Sequence, residues 1–268
     1  MPALILLRGG GDLASGVALR LFRAGLMVVI AELAQPLAVR RSVAFSEAIY
    51  ESEVTVEGVM ARAINDPTDT LKILNVIARK QIPVLVDPDC ISARTLHPLV
   101  IVDGRMTKHP PEPLSHNSLL YLGLGPGFRA PTNCHAVIET QRGHTLGRVI
   151  WDGATLNDTS KPEGDPRRVL RAPIEGVLKS NAKIGERFEM GQTIAVIGDK
   201  DISAPFSGVL RGLLHPGLKA IKSMKIGDLD PRDDPGLCQL VSDKSLAVGG
   251  GVLEALLTRP EVRTELWV

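Results

Sequence analysis

The sequence predicts an α/β fold class, in which a mostly parallel sheet with helices is followed by a small all-β domain. Three observations support this prediction. Apolar residues make up 44% of the 268 residues and aromatic residues only 3%, so the cores depend on Val, Ile, Leu and Ala. A glycine-rich loop joins an apolar run to a helical pattern near the N-terminus. A short segment recurs once in the second half of the chain, which is typical of a repeated β unit.

Residues 4–32 predict a strand, a helix and a second strand. Leu4–Leu7 is a continuous apolar run, as expected for a strand that is buried on both faces. The next apolar residues share a four-residue period that indicates one face of a helix. They are Leu13, Val17 and Leu21. Gly25 follows where a helix commonly ends, and Met27–Ala31 completes a βαβ unit with a right-handed crossover.

Further apolar runs predict the rest of the α/β layer. Asp66–Asp69 supplies helix-starting residues before an amphipathic run. Buried strands and one hairpin are predicted from the spacing of apolar residues and from the residue types of each run. The strands lie at 83–87, 99–103 and 119–122, and the hairpin pairs 136–140 with 146–151. The last helical pattern, Asp243–Thr258, contains three consecutive glycines that each cost about 1 kcal/mol relative to Ala. We expect close backbone packing against the α/β layer to offset that cost.

The composition changes in the second half of the chain. Residues 157–166 are polar with two prolines and predict a linker or an exposed loop. After it, Ala172–Lys179 reappears as Ala204–Arg211, and each copy is too small to bury a face alone. This Ala-Pro-x-x-Gly repeat resembles biotinyl/lipoyl carriers, which implies a barrel-sandwich-hybrid domain. Lys200 lies on the connection between the copies, but it lacks Met-Lys-Met-type flanks and is not expected to carry a prosthetic group.

The first glycine loop matches the dinucleotide-binding pattern G-x-G-x-x-G/A, here Gly9-Gly10-Gly11-Asp12-Leu13-Ala14. It follows a predicted strand and opens a predicted helix, where amides and a partial positive charge face a phosphate. Ser15 and Gly16 continue the stretch, and Glu32 ends the second strand where an acid binds a ribose hydroxyl. The alternative is a plain strand–helix turn capped by Asp12, whose carboxylate would repel a pyrophosphate.

These patterns divide the chain into three predicted segments. A Rossmann-like α/β domain covers residues 1–160, and a barrel-sandwich-like β domain covers residues 167–232. A strand and helix at 233–268 are predicted to return to the α/β domain.

A second glycine loop extends the candidate site. Gly123, Gly125 and Gly127 follow another predicted strand. The carboxyl ends of parallel strands share one edge of a sheet, so both glycine loops are expected to line one crevice. A plain turn is the alternative for this loop.

Charged residues in turns provide further candidates. Arg40 and Arg41 form either a phosphate clamp or a solvated charge pair. Arg142 and His144 lie in a turn that either binds an oxyanion or is a solvated hairpin tip. Asp12 and His144 are the candidates for acid/base catalysis.

Composition also argues against several classes of partner. A net charge of +1 provides no basic field for nucleic acid. The six histidines lack HxxxH or HxH spacing and the three cysteines lack CxxC, so no metal site and no disulfide framework are expected. No stretch approaches the ~20 apolar residues of a membrane helix. We therefore expect a cytoplasmic protein that binds a small anionic ligand, with a homo-oligomer left open.

Several strings resemble one bacterial family, the accessory protein of the selenium-dependent molybdenum hydroxylase system, related in role to xanthine dehydrogenase maturation factors. The strings are Arg8–Gly16, Gln35–Arg41, Val137–Arg148, Val169–Pro173, Lys225–Arg232 and Ser242–Glu254. The resemblance implies a maturation factor that binds a nucleotide or a molybdopterin-type cofactor and docks on a client molybdenum hydroxylase. It brings no catalytic residues with it.

Two other functions are open from the sequence. One is an NAD(P)-dependent or other small-molecule enzyme that uses the same crevice. The other is a non-catalytic scaffold with a vestigial glycine loop. The sequence does not decide whether a reaction is catalysed.

Overall fold

The computed structural model describes residues 3–112, 118–157 and 164–267. The chain divides into two units. Unit 1 comprises Met1–Pro36, Phe45–Asp158 and Val241–Val268, and unit 2 comprises Leu37–Ala44 and Thr159–Leu240. The predicted linker at 157–166 falls largely on residues 158–163, which lie outside the described residues.

Unit 1 contains the α/β layer. Its strands are β1 (Leu4–Arg8), β2 (Met27–Glu32), β3 (Glu53–Val56), β4 (Val59–Ile64), β5 (Ile82–Val86), β6 (Val100–Asp103), β7 (Leu120–Leu124), β8 (Arg129–Ala130), β9 (Ala136–Ile138), β10 (Val149–Ile150) and β11 (Gly153–Ala154). Its helices are α1 (Asp12–Arg23), α2 (Ala48–Glu51), α3 (Thr70–Ala78), α4 (Ala93–Leu96), α5 (Asp243–Thr258) and α6 (Pro260–Arg263). The side chain of Asp69 accepts a hydrogen bond from the Lys72 amide and so caps α3, as the sequence predicts.

One mixed sheet organises unit 1. Among the described residues it has nine strands in the order β10-β9-β7-β6-β1-β2-β5-β4-β3. The central strands run parallel, but β3 pairs antiparallel with β4 and β10 pairs antiparallel with β9. Glu57 and Gly58 make the β3–β4 turn, both with positive φ (44° and 82°), and a two-residue turn can join only antiparallel strands.

Helix α5 lies along α1 at very short range. A Cβ at Gly16 of α1 would lie 2.9 Å from the carbonyl carbon of Ser245. A Cβ at Gly249 would lie 2.8 Å from Cγ of Arg20, and one at Gly251 would lie 2.9 Å from Cγ2 of Ile138 in β9. Within the described part of the chain, no atom outside α5 lies within 4 Å of the position that a Cβ would take at Gly250. Two glycines of the triplet are therefore required by close packing, and the third is not.

Unit 2 is built from short antiparallel strands. They are β12 (Val169–Arg171), β13 (Gly176–Lys179), β14 (Arg187–Phe188), β15 (Thr193–Ile197), β16 (Lys200–Ser203), β17 (Gly208–Leu213), β18 (Lys219–Ala220) and β19 (Lys225–Asp230). They form two four-stranded sheets, ordered β12-β19-β17-β14 and β16-β15-β13-β18. The repeated segments supply β13 and β17, which are inner strands of different sheets. A three-residue 3-10 helix lies at Arg41–Val43, and a four-residue 3-10 helix lies at Pro235–Cys238.

The predicted fold class, a Rossmann-like mostly parallel sheet plus a biotinyl/lipoyl-like barrel-sandwich domain, is wrong. The α/β layer is a large mixed sheet because hairpins, rather than crossover helices, connect its edge strands. The β-rich residues form separate antiparallel sheets, and nothing in the described part of unit 2 identifies a carrier domain. Lys200 begins β16 and pairs with its neighbour Asp199 at 3.5 Å.

No helix among the described residues combines the length and the apolar character needed to cross a bilayer.

Candidate functional site

The glycine loop that follows β1 is tied down by backbone hydrogen bonds. The Gly9 amide donates to the carbonyl of Ala31 at 2.8 Å, with φ at +96°, a conformation that favours glycine. The Gly10 carbonyl accepts from the Ser15 hydroxyl and from the Ser46 amide, both at 2.9 Å. The loop is therefore held in place from α1 and from the segment that precedes α2.

Helix α1 begins at this loop without a side-chain cap. Gly11 occupies the N-cap position with extended backbone (φ −65°, ψ 176°), so Asp12 is the first helical residue rather than the cap. The first intrahelical bond runs from the Ser15 amide to the Gly11 carbonyl, so the preceding amides point out of the helix end. Apart from Gly11 and its two chain neighbours, no atom of the described residues lies within 4 Å of the position that a Cβ would take at Gly11. The loop is thus open at Gly11.

Glu32 fastens the other side of the loop. Its two carboxylate oxygens accept the amides of Gly10 and Leu33, each at 2.7 Å. Burial raises the pKa of Glu32, and these two backbone hydrogen bonds lower it only in part. Each oxygen keeps a second lone pair for a further donor.

A buried charged cluster lies at the carboxyl ends of β1 and β6, and Tyr121 near the start of β7 contributes its hydroxyl. The carboxylate of Asp103, which is 1% exposed, accepts from Arg8 at 3.2 Å, from Arg105 at 2.8 Å and from the Tyr121 hydroxyl at 2.9 Å. Arg8 is also buried, whereas the Arg105 side chain is 23% exposed. Asp103 therefore holds two guanidinium groups at the carboxyl edge of the sheet, and Arg105 is the one that solvent reaches.

The neighbouring groups are kept in their neutral forms. Burial, and then the Asp103 carboxylate, raise the pKa of Tyr121, so its phenol is a hydrogen-bond donor at neutral pH. Burial raises the pKa of the Cys90 thiol to about 12. Neither group is suited to act as a base or a thiolate nucleophile near pH 7.

The two glycine loops flank a single segment, Gly104–Met106, which follows β6. A Cβ at Gly9 would lie 3.4 Å from Arg105 backbone atoms, and a Cβ at Gly125 would lie 3.2 Å from Cε of Met106. The predicted position of both loops at one sheet edge is consistent with these contacts. Gly123 and Gly127 are required for packing, since a Cβ would overlap the Phe128 ring and the His109 backbone respectively.

The structure places Arg142 and His144 elsewhere on unit 1. Arg142 donates two hydrogen bonds to the carboxylate of Asp243, one of them 2.7 Å long, at the start of α5. These bonds lower the pKa of Asp243 to about 2. His144 is exposed in the turn after β9, which lies three strand spacings from β1, on the order of 14 Å. His144 is therefore not brought next to Asp12.

Arg40 and Arg41 belong to unit 2. Arg40 is buried and donates to the carbonyl of Leu240 at 2.9 Å, and Arg41 donates to the carbonyl of Leu213 at 2.7 Å. Both guanidinium groups bind backbone within their own unit. Gly16, another predicted ligand residue, faces Ser245 of α5.

Sequence reasoning missed the residues that make the charged cluster. Asp103 and Gly104 end a predicted strand in the same way that Arg8 and Gly9 end the first one, which was the available signal. The sequence pattern did not indicate a functional role for Tyr121, because this residue lies inside an apolar run.

Fold and site together define an open α/β sheet protein with polar groups gathered at the carboxyl edge of its central strands. No protein-family model matches the chain. The chain is 45% identical over 258 residues to the protein described as "Uncharacterized protein YqeB" of Escherichia coli (strain K12). The match covers 95% of this chain and 47% of that protein, so the chain spans about half the length of the curated relative it matches.

Solved structures match at low similarity. An aspartoacylase family protein from Mesorhizobium loti is 10% identical, with 85% of this chain and 84% of that chain covered and a TM-score of 0.25. The ectoine utilization protein EutE (DoeB) from Ruegeria pomeroyi is 9% identical, with coverages of 85% and 86% and a TM-score of 0.25. A succinylglutamate desuccinylase/aspartoacylase from Rhodobacter sphaeroides is 11% identical, with coverages of 85% and 85% and a TM-score of 0.26.

These comparisons correct the family prediction. Neither this relative nor any of these three solved structures is described as part of a molybdenum hydroxylase system. The predicted resemblance to that accessory family is therefore wrong, and so is the maturation-factor function that rested on it. TM-scores near 0.25 leave the function of this chain to be argued from its own site.

Proposed function

We propose that unit 1 binds a small anionic molecule at the carboxyl edge of β1 and β6, as the substrate or cofactor of a small-molecule enzyme. The observation that carries this proposal is the uncapped N-terminus of α1, which opens at Gly11 beside the cluster of Arg8, Asp103 and Arg105. Helix amides and a guanidinium group are both donors that suit an oxyanion.

The topology of the sheet supports this location. The chain leaves β1 through α1 to β2 on one side, while β6 and β7 are added on the other side of β1. In open α/β sheets, ligands bind at the point where the strand order reverses, outside the carboxyl ends of the strands. The Gly9–Gly11 loop lies at that point.

A nucleotide such as NAD(P) remains the proposed cofactor class. The absence of a side chain at Gly11 permits a phosphate to approach the amides at the start of α1. Glu32 already accepts two backbone amides, and its remaining lone pairs suit ribose hydroxyls. The molybdopterin alternative depended on the corrected family and is not carried further.

Asp12 is the proposed acid/base group of this site, because it is half-buried in the first turn of α1. Its carboxylate also opposes a bound anion. Asp12→Asn is therefore expected to tighten ligand binding while it abolishes turnover. Unchanged turnover in this variant would remove Asp12 from the proposed chemistry.

Calorimetric titration of the full chain with NAD(H), NADP(H) and nucleoside phosphates tests the proposal. Gly11→Val fills the open space at the helix end, and its extended backbone accepts a β-branched residue, so the fold is expected to persist. We expect at least tenfold weaker binding. Gly250→Val, at another open glycine position, is the matched control.

Two results would contradict the proposal. One is the absence of saturable binding by any of these ligands. The other is equal affinity of Gly11→Val and the unaltered chain. A ligand that binds at Gly11 without any turnover would instead favour the non-catalytic alternative.

A further inference from the structure

Glu32 lies directly beside the glycine loop of unit 1. It is the last residue of β2, which runs parallel to β1, the strand that leads into the loop. Its Oε2 atom accepts the Gly10 amide at 2.7 Å, and its Oε1 atom accepts the Leu33 amide at the same distance. The residue is half-buried and therefore keeps part of its surface exposed to solvent.

The carboxylate of Glu32 has no cationic partner. Among the described residues, the two backbone amides are its only hydrogen-bond donors, and no Lys, Arg or His forms an ion pair with it. Asp103, at the end of β6, differs because it pairs with both Arg8 and Arg105. Since amide donors favour the ionised form of a carboxyl group, Glu32 contributes an unpaired negative charge beside the candidate site.

The segment that follows Glu32 supplies no compensating charge. Residues 33–36 are Leu, Ala, Gln and Pro, after which the chain leaves unit 1. Leu33 is apolar and 43% exposed. The next cations along the chain, Arg40 and Arg41, belong to unit 2, where both donate to backbone carbonyls of that unit. This end of β2 thus offers a hydrogen-bond acceptor without a cation in the segment after it.

A carboxylate of this kind distinguishes between substituents on a sugar. Each oxygen of Glu32 has a lone pair beyond the one that accepts an amide, and a hydroxyl group can donate to it. The 2′- and 3′-hydroxyls of a ribose are adjacent donors that match the two oxygens of one carboxylate. A 2′-phosphate lacks that donor and carries about two negative charges at neutral pH, so Glu32 repels it.

We propose that Glu32 restricts the ligand site of unit 1 to nucleotides whose adenosine ribose has a free 2′-hydroxyl, which means NAD(H) rather than NADP(H). This inference rests on the proposed function, because it takes the Gly9–Gly11 loop as the phosphate site. A site governed only by its positive groups, the α1 helix end, Arg8 and Arg105, would bind the more negative dinucleotide at least as tightly. Preference for the less charged ligand is therefore the signature of Glu32.

Calorimetric titration of the full chain with three dinucleotides tests this proposal. NAD, 2′-deoxy-NAD and NADP differ only at the 2′ position of the adenosine ribose, which carries a hydroxyl, a hydrogen or a phosphate. At constant ionic strength we expect the affinity to fall in that order, by about tenfold or more between NAD and NADP. This order is measured on the unaltered chain, so it does not depend on the folding of a variant. Gly11→Val is expected to weaken the binding of all three, which locates them at the loop.

Substitution of Glu32 assigns the preference to this side chain. In Glu32→Gln the repulsion of the 2′-phosphate is removed, so the ratio of NAD affinity to NADP affinity is expected to fall by about fivefold or more. Glu254→Gln removes an equal charge from an exposed position on α5 and is expected to keep the parent ratio. The ratio is the readout, because a general loosening of the loop would weaken the binding of both ligands alike.

The outcomes separate this proposal from the proposed function. Equal affinities for NAD and NADP, or tighter binding of NADP, overturn the role of Glu32 and leave the ligand site in place. A preference for NAD that persists unchanged in Glu32→Gln also overturns that role. If none of the three dinucleotides binds, the dinucleotide assignment of the site fails, and this proposal fails with it.

Discussion

The glycine triplet of α5 allows the packing of unit 1 to be measured with a matched pair of substitutions. Replacement of either Gly250 or Gly251 by Ala gains about 1 kcal/mol of helix propensity. A Cβ at Gly250 meets no atom of the described residues outside α5 within 4 Å, so this gain is kept. A Cβ at Gly251 overlaps the carbonyl oxygen of Gly147 and lies 2.9 Å from Cγ2 of Ile138. Overpacking of this kind costs about 1–3 kcal/mol, and a backbone carbonyl cannot rotate away.

The expected result is that Gly250→Ala stabilises unit 1 by up to about 1 kcal/mol, while Gly251→Ala destabilises it by up to about 2 kcal/mol. Because the propensity term is common to both, the difference between the variants measures the packing strain alone. The free energy of unfolding of each variant is measured by urea denaturation, and the two values are comparable when the curves have equal slopes. Equal stabilisation by both substitutions would refute the close contact of α5 with the sheet.

Two further predictions concern ionisation. Arg142 lowers the pKa of Asp243 to about 2, so the stabilisation from this pair is complete above the unfolded value of about 3.9 and is lost as pH falls towards 2. In Arg142→Gln, the pKa of Asp243, measured by NMR titration of its carboxyl group, should rise towards 3.9. A pKa that stays near 2 would show that a group other than Arg142 lowers it. Burial raises the pKa of all three cysteines, Cys90, Cys134 and Cys238, so the native protein should resist a thiol reagent at pH 8 and react at three sites only after unfolding. Rapid labelling of the native protein would contradict this burial.

Local elements could be predicted from the sequence where regularly spaced apolar residues are followed by residues that mark the end of an element. The runs that form β1, α1 and β2 are continuous or regularly spaced, and glycines mark their ends. The Asp69 cap of α3 was equally predictable, because helix capping depends only on residues that are close in the sequence. The close contact of α5 was inferred correctly from the cost of its glycines alone.

Features that depend on distant residues were not predictable in the same way. Arg8 and Asp103 are 95 residues apart, so only the parallel pairing of β1 with β6 brings them together. The β3–β4 hairpin was not predicted, because Glu57-Gly58 resembles any polar turn in the sequence. Only the pairing of β3 with β4 identifies it as a hairpin turn. The expectation of a carrier-like domain followed the Ala-Pro-x-x-Gly repeat, which reports a repeated turn and strand rather than a particular fold.

The same limit applies to the charges of the candidate sites. Arg142 is a candidate from the sequence for either oxyanion binding or a solvated hairpin tip, and the structure pairs it with Asp243, which lies 101 residues later. The partners of an arginine, rather than its position in a motif, decide whether it is available to a ligand.

The most direct test of the central claim is an amide NMR titration of the full chain with NAD(H), NADP(H) and nucleoside phosphates. The account predicts that one of these ligands shifts the amide resonances of Gly11, Asp12 and Leu13 in a saturable manner, and that Gly11→Val abolishes those shifts. Saturable binding that leaves these three amides unmoved, or no binding at all, would contradict the proposed site at the start of α1.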